Sequence, residues 1–307
     1  MGCHIAGVWF GVCLYADDIC LLANSRDALQ KMIKVCETYG VEHNLVFSTD
    51  PDPKKSKTKC MFFTRKCQTT VVYPTPVKLD GKNLPWVQRA DHLGHVLHQN
   101  GSMAADGVRA RASFMSRSSD IRDSLYFADP RQKVQAIHLY CCDGYGSMLW
   151  NFRSDYAENY FKAWNIQVRH AWRVSLETHT YLVESYFADG KMSLRNQVFS
   201  RYPKFLKKLL NSPSKEIRFL SKVLVSDPRS IIGKNIWYLN NLTKTDVSRV
   251  DSSEFKRLLP VNIIPDNEKY RLGLLTTLLQ VRENKQFNEF NLTKEMTQEL
   301  IDSLCKS

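Results

Sequence analysis

Two adjacent carboxylates, Asp17 and Asp18, sit between two apolar runs, Val8 to Tyr15 and Ile19 to Ala23. Runs of this kind, rich in Val, Ile, Leu and aromatic residues, read as strands. The break between them has room only for a tight hairpin turn. The pair is therefore expected at the tip of a buried ribbon, where loss of water opposes charge and like charges repel. A bound divalent cation relieves both effects, and hard carboxylate oxygens suit Mg2+ or Mn2+. The same pair in an ordinary loop is simply hydrated, so the strand–turn–strand setting is what favours metal chemistry.

The elements that must position this tip follow from the local pattern. Ser25 caps a helix starting near Arg26, with Leu29, Met32, Ile33 and Cys36 as its apolar stripe. Gly40 is expected to end it. The stretch Asp50 to Ser56 is turn chemistry. Val71-Val72-Tyr73 and Val77-Lys78-Leu79 read as short strands, the second closed by Asp80-Gly81 as a tight turn.

From about residue 102 the texture becomes helical. Asp129-Pro130-Arg131-Gln132 combines an N-cap, a proline at the first position and a capping-box glutamine. Val134, Ile137, Cys141, Tyr145 and Leu149 are expected along one face of that helix. Tyr156, Tyr160, Trp164, Val168 and Trp172 recur at steps of four and read as core rather than a base-stacking surface. Ser212-Pro213 and Asp227-Pro228 look like further helix starts, and Pro203 is expected to kink or interrupt its helix. Asp266 would cap a run with Tyr270, Leu274, Leu278 and Val281 on one face.

Tyr15-Ala16-Asp17-Asp18 resembles the catalytic hairpin of reverse transcriptases, and the likeness continues downstream. Gly40 to Phe63 resembles the next polymerase motif, a basic segment before a strand. Ala90 to Leu97, with Leu93-Gly94 at its centre, resembles the hairpin that grips the primer end. Tyr145-Gly146-Ser147 with Trp150, and Ala163 to Trp172, resemble the region downstream of the polymerase in LINE-type (non-LTR) retrotransposons.

The resemblance implies an α+β chain. Residues 1–101 would form a partial polymerase palm, an antiparallel sheet with a helix on one face. Residues 102–175 would form a helical thumb, and 176–307 a C-terminal helical region. Such enzymes transfer nucleotides with two metals about 3.5–4 Å apart. By the resemblance Asp17 is a metal ligand with Asp18 beside it, and Tyr15 packs near the primer end. Lys57 lies close to the nucleotide's phosphates and could protonate the leaving pyrophosphate, with Lys55 and Lys59 competing for that role. Gly94 lets the backbone approach the primer, since it has no side chain to obstruct. Implied partners are an RNA template, a DNA primer and deoxynucleoside triphosphates.

The upstream aspartate that bridges both metals in the family, the fingers and the sugar-checking segment do not precede the hairpin here. The expectation is thus a reverse-transcriptase fragment that binds Mg2+ or Mn2+ weakly and is inactive alone. The alternative is a non-catalytic nucleic-acid-binding remnant of the same fold. A basic helical interaction protein in which YADD is incidental fits the motif order worst.

Composition agrees with a polyanionic partner. The chain has 307 residues, 43% hydrophobic, with a formal charge of +12. Lys54 to Lys66 holds six basic residues and no acid, and Lys191 to Lys222 holds nine against the single acid Glu216. Tyr202 and Phe205 inside the second cluster read as core by their spacing. Arg109, Arg111, Arg117 and Arg122 are candidates for phosphate contacts, or the solvated face of a helix. Nine cysteines show no disulfide or zinc spacing, which fits a reducing compartment, nucleus or cytoplasm. His92, His95 and His98 flank a hairpin turn, where their rings do not converge on a metal. No membrane partner is expected, because the N-terminal apolar run is too short to span a bilayer.

Overall fold

The computed structural model describes residues 2–50, 52, 54–64, 71–260, 269–287 and 292–306. The fold is α+β: small antiparallel strand pairs, then helices. The strands are β1 (Cys3–Ile5), β2 (Val8–Phe10), β3 (Val12–Tyr15) and β4 (Asp18–Leu21). Helix α1 (Arg26–Glu42) follows, then β5 (Lys78–Leu79), β6 (Lys82–Asn83), β7 (Arg89–His92) and β8 (His95–His98). The later helices are α2 (Ala104–Ser124), α3 (Pro130–Cys141), α4 (Asp155–Trp172), the short α5 (Thr180–Leu182) running into a π-turn, α6 (Leu194–Leu210), α7 (Lys215–Ser226), α8 (Ile231–Thr243), α9 (Ser252–Leu258), α10 (Lys269–Asn284) and α11 (Lys294–Lys306). Two compact units result, Met1–Asp106 with Leu209–Ser226, and Gly107–Lys208 with Asp227–Ser307. These cut across a division at residues 101 and 175.

In the first unit the described strands form four separate two-stranded sheets rather than one palm-like sheet. The expected single strand Val8–Tyr15 breaks at Gly11. Its first part pairs with β1, and its second part pairs with β4 in the register Val12↔Leu21 to Tyr15↔Asp18. Gly11 is buried because the Trp9 indole lies across its Cα, where a Cβ would collide with the ring. Ala6-Gly7, Asp80-Gly81 and Leu93-Gly94 close three of the hairpins with positive φ at both central residues, the geometry that matches strand twist.

Ser25 caps α1 as expected, its hydroxyl accepting from the Ala28 N–H at 3.2 Å. Met32 and Ile33 are buried, and Leu29 packs beside them. Gly40 does not end the helix, which runs on to Glu42. Its bare Cα instead admits the returning chain, with the Phe47 ring and the Leu45 carbonyl 3.0 and 3.1 Å from where a Cβ would stand. Ile33, Cys60, Val77, Leu79 and Leu84 make one apolar cluster, joined by Leu21, Phe47 and Trp86. Val71-Val72-Tyr73 is not a strand. Tyr73 stacks on Trp86, and its hydroxyl and the Gln99 amide oxygen lie 2.8 Å apart.

The second unit is helical and built on aromatic packing. Tyr160, Trp164, Val168 and Trp172 of α4 are all buried. Trp150 meets Tyr160 edge-on at 5.1 Å, and Phe152 sits 4.9 and 5.1 Å from Phe199 and Tyr202. The Asp129 capping box is fully formed.

Several expected boundaries move. α3 ends at Cys141, because Gly144 and Gly146 turn the chain with positive φ, so Tyr145 and Leu149 leave its face. In the first unit the hydroxyl that accepts at the start of α7 is Ser214, not Ser212, and in the second unit α8 is capped by Ser230, not Asp227. Pro203 sits buried inside an uninterrupted α6. On α10 Val281 is buried as expected, but Leu275 and Leu279 are buried where Leu274 is exposed and Leu278 half-buried, and Asp266 lies outside the described residues.

Candidate nucleic-acid interface and acidic hairpin

A two-residue loop, Ala16-Asp17, joins β3 to β4. Asp17 is thereby in the turn, and Asp18 is the first residue of the returning strand, opposite Tyr15. Ala16 takes φ +52 to close it. The tip is not buried: Tyr15 is 67% exposed, Leu14 70%, and both aspartates lie in water. Only the root of the hairpin, Leu21, enters the apolar cluster. Among the described residues β3 and β4 pair only with each other, and a two-stranded ribbon has no second layer to cover its apolar side chains. Desolvation therefore does not force a cation onto the pair.

Among the described residues no group of three or more His, Cys, Asp and Glu side chains is placed to hold a metal ion. Two hydrated carboxylates alone do not fit a two-metal cage, which draws on more oxygen donors than these side chains supply.

The lysine segment is built by turn chemistry. The Asp52 carboxylate accepts from the Lys54 N–H at 2.9 Å, and its carbonyl accepts from the N–H groups of Lys55 and Ser56. Ser56 turns inward, its hydroxyl donating to the Thr58 carbonyl at 2.6 Å, and Cys60 is buried. Between and around them Lys54, Lys55, Lys57 and Lys59 all point outward. None has an acidic partner among the described residues. Burial pushes the Cys60 thiol up to about 11, so this cysteine is an inert anchor. The Cys60 N–H donates to the Pro85 carbonyl, and its own carbonyl accepts from the Val87 N–H, which ties the segment to the chain leading into β7. Arg65 and Lys66, the rest of this cluster, lie outside the described residues.

Leu93-Gly94 forms the turn of the β7–β8 hairpin, with His92 opposite His95. A residue that the sequence pattern did not single out holds this hairpin. Asp106, in the first turn of α2, is 1% exposed and accepts from the Val96 N–H at 3.0 Å, with His95 Nδ1 at 3.3 Å. Its legible signal was an acid in a helix's first turn. His98 turns to Asn100 instead, at 2.8 Å, so His95 and His98 have divergent partners.

Arg109 and Arg111 belong to the second unit, Arg109 exposed and Arg111 half-buried. Arg117 is engaged, 3.1 Å from Asp143, and Arg122 donates to the Ser119 hydroxyl. In the second basic cluster, Arg195 pairs with Glu158, Arg201 donates to the carbonyls of Cys142 and Asp143, and Arg218 donates to the carbonyls of Ser212 and Pro213. Three of the nine basic residues of that cluster are therefore internal scaffolding. Tyr202 is buried core, as its spacing indicated.

No described helix is long and apolar enough to cross a membrane. Comparison with known proteins returns no match among family models, curated proteins or solved structures.

Proposed function

We propose that the chain carries palm and thumb elements of an RNA-directed DNA polymerase of the LINE-type (non-LTR) kind, and that its own activity is binding of an RNA template and DNA primer. The reading rests on one observation: order along the first unit. An Asp-Asp hairpin, a capped helix, an outward lysine segment and a second tight hairpin follow one another, and Leu21 and Cys60 root the first and third in a single apolar cluster. In this reading the lysines meet phosphate oxygens, Leu93-Gly94 lies against the primer end, and Tyr15 lies beside its last base. Asp17 and Asp18 hold a Mg2+ or Mn2+ ion only weakly, because no third carboxylate joins them among the described residues. Deoxynucleoside triphosphates are in this reading substrates of the intact parent enzyme only.

The test is anisotropy of a labelled RNA–DNA template–primer, with primer extension run in parallel. Binding that weakens steeply with salt, without extension in Mg2+ or Mn2+, is expected. Binding indifferent to salt removes the reading. Extension that disappears in Asp17→Asn keeps the family assignment and overturns the claim that the metal centre is incomplete.

A further inference from the structure

The β3–β4 register places Cys13 directly opposite Cys20. The Leu22 N–H donates to the Gly11 carbonyl at 2.8 Å, in line with that register. Because hydrogen-bonded and non-hydrogen-bonded pairs alternate along an antiparallel ladder, Cys13 and Cys20 are a hydrogen-bonded pair, whose Cα atoms stand about 5.5 Å apart. That spacing falls inside the disulfide range of roughly 4.4–6.8 Å. Both side chains lie on one face of the ribbon, since facing residues share a side. Cys13 is exposed and Cys20 half-buried. Among the other described cysteines Cys60, Cys141, Cys142 and Cys305 are buried, and Cys3 pairs across its own sheet with Phe10.

We propose that Cys13 and Cys20 form a reversible cross-strand dithiol–disulfide site, oxidised by small-molecule disulfides of the glutathione class. The exposed Cys13 thiolate attacks one sulfur of the small disulfide, whose S–S bond breaks and releases one thiol. The Cys20 thiolate then attacks the Cys13 sulfur and releases the second. Two protein thiols lose two electrons, the small disulfide gains them, and the two protons leave on its two thiols. The oxidised bond staples the ribbon on the face that also carries Tyr15 and Asp18, two residues nearer the tip on each strand. Nothing in this site depends on the polymerase reading.

The experiment incubates the full chain with graded ratios of oxidised to reduced glutathione, alkylates the remaining thiols and maps peptides by mass. Cys13 and Cys20 are expected to lose alkylation together, in a peptide lighter by two hydrogens, and to recover it with a dithiol reductant. Cys20→Ser should leave Cys13 carrying glutathione. The double variant Ile19→Cys with Cys20→Ser moves the second thiol to the opposite face with the sequence separation almost unchanged, so it should fail to close. Glutathione retained on Cys13 of the parent chain with Cys20 still free overturns the proposal. Equal closure in the displaced variant also overturns it, since proximity in sequence rather than register would then be responsible.

Discussion

Asn235 is buried in the second unit, and its side-chain amide spans two backbone groups. Its Nδ2 donates to the Trp150 carbonyl at 2.7 Å, and its Oδ1 accepts from the Phe152 N–H at 3.0 Å. Asn235→Ala removes both of these hydrogen bonds from a dry interior, where an unsatisfied group costs about 1–3 kcal/mol. We expect a loss of about 2–6 kcal/mol for the two groups together, read as a lower urea midpoint with an unchanged slope. His138 gives a prediction of a different kind. Burial, then Lys191, Lys256 and Arg201, lowers its pKa from 6.5. Its ring meets Trp164 edge-on at 5.9 Å. The unfolded chain therefore takes up the proton first. Stability should be full above pH 6.5, fall as pH drops below it, and level off once the folded state is also protonated. Thermal melts of His138→Gln across that range should show a flatter fall. At this scale the sequence separated core from surface where spacing was long and regular, as on α4. It misjudged the burial of Asp17 and Asp18, because whether a ribbon tip is covered depends on what packs over it and not on its own residues.

Helix starts show what is local and what is not. The Asp129 cap was readable because a box of four residues carries all of its chemistry. Ser214 and Ser230 were missed in favour of Ser212 and Asp227, since each start offers several cap-competent residues within one turn. On α10 Val281 was placed correctly but the two leucines were placed one position early; Leu274, Leu275, Leu278 and Leu279 all sit at helical spacing, and only the packing partner decides between the two pairs. Gly233 marks a constraint that no periodicity reveals. It lies in the first turn of α8, buried, and a Cβ there would collide with the Asp227 carbonyl and stand 3.0 Å from its carbon. Alanine would gain about 1 kcal/mol in helix propensity. Overpacking costs about 1–3 kcal/mol and sits at the upper end here, because the obstructing atoms are backbone. Gly233→Ala should therefore lower stability by about 1–2 kcal/mol in denaturant titration, the opposite of what an exposed helical glycine would show.

Over the whole molecule, the α+β texture was legible from the shift in periodicity near residue 102. The grouping of Leu209–Ser226 with the N-terminal strands was not, because a contact between distant segments leaves no local trace. The excess of 12 positive charges raises affinity for any polyanion, but the unpartnered lysines decide where it acts. Arg117, Arg195, Arg201 and Arg218 are occupied within the fold, whereas Lys54, Lys55, Lys57 and Lys59 are exposed together on one short segment. Each phosphate contact contributes about 0.9 to the slope of log affinity against log salt on duplex. Replacing all four lysines by glutamine should lower that slope by about 3–4 and weaken binding similarly for every sequence. The same replacement of Lys204, Lys207 and Lys208 on α6 tests whether charge alone is responsible. If the two variants lower the slope in proportion to the charges removed, binding follows net charge and the lysine segment has no special place. A loss confined to the first variant assigns the phosphate track to residues 54–59.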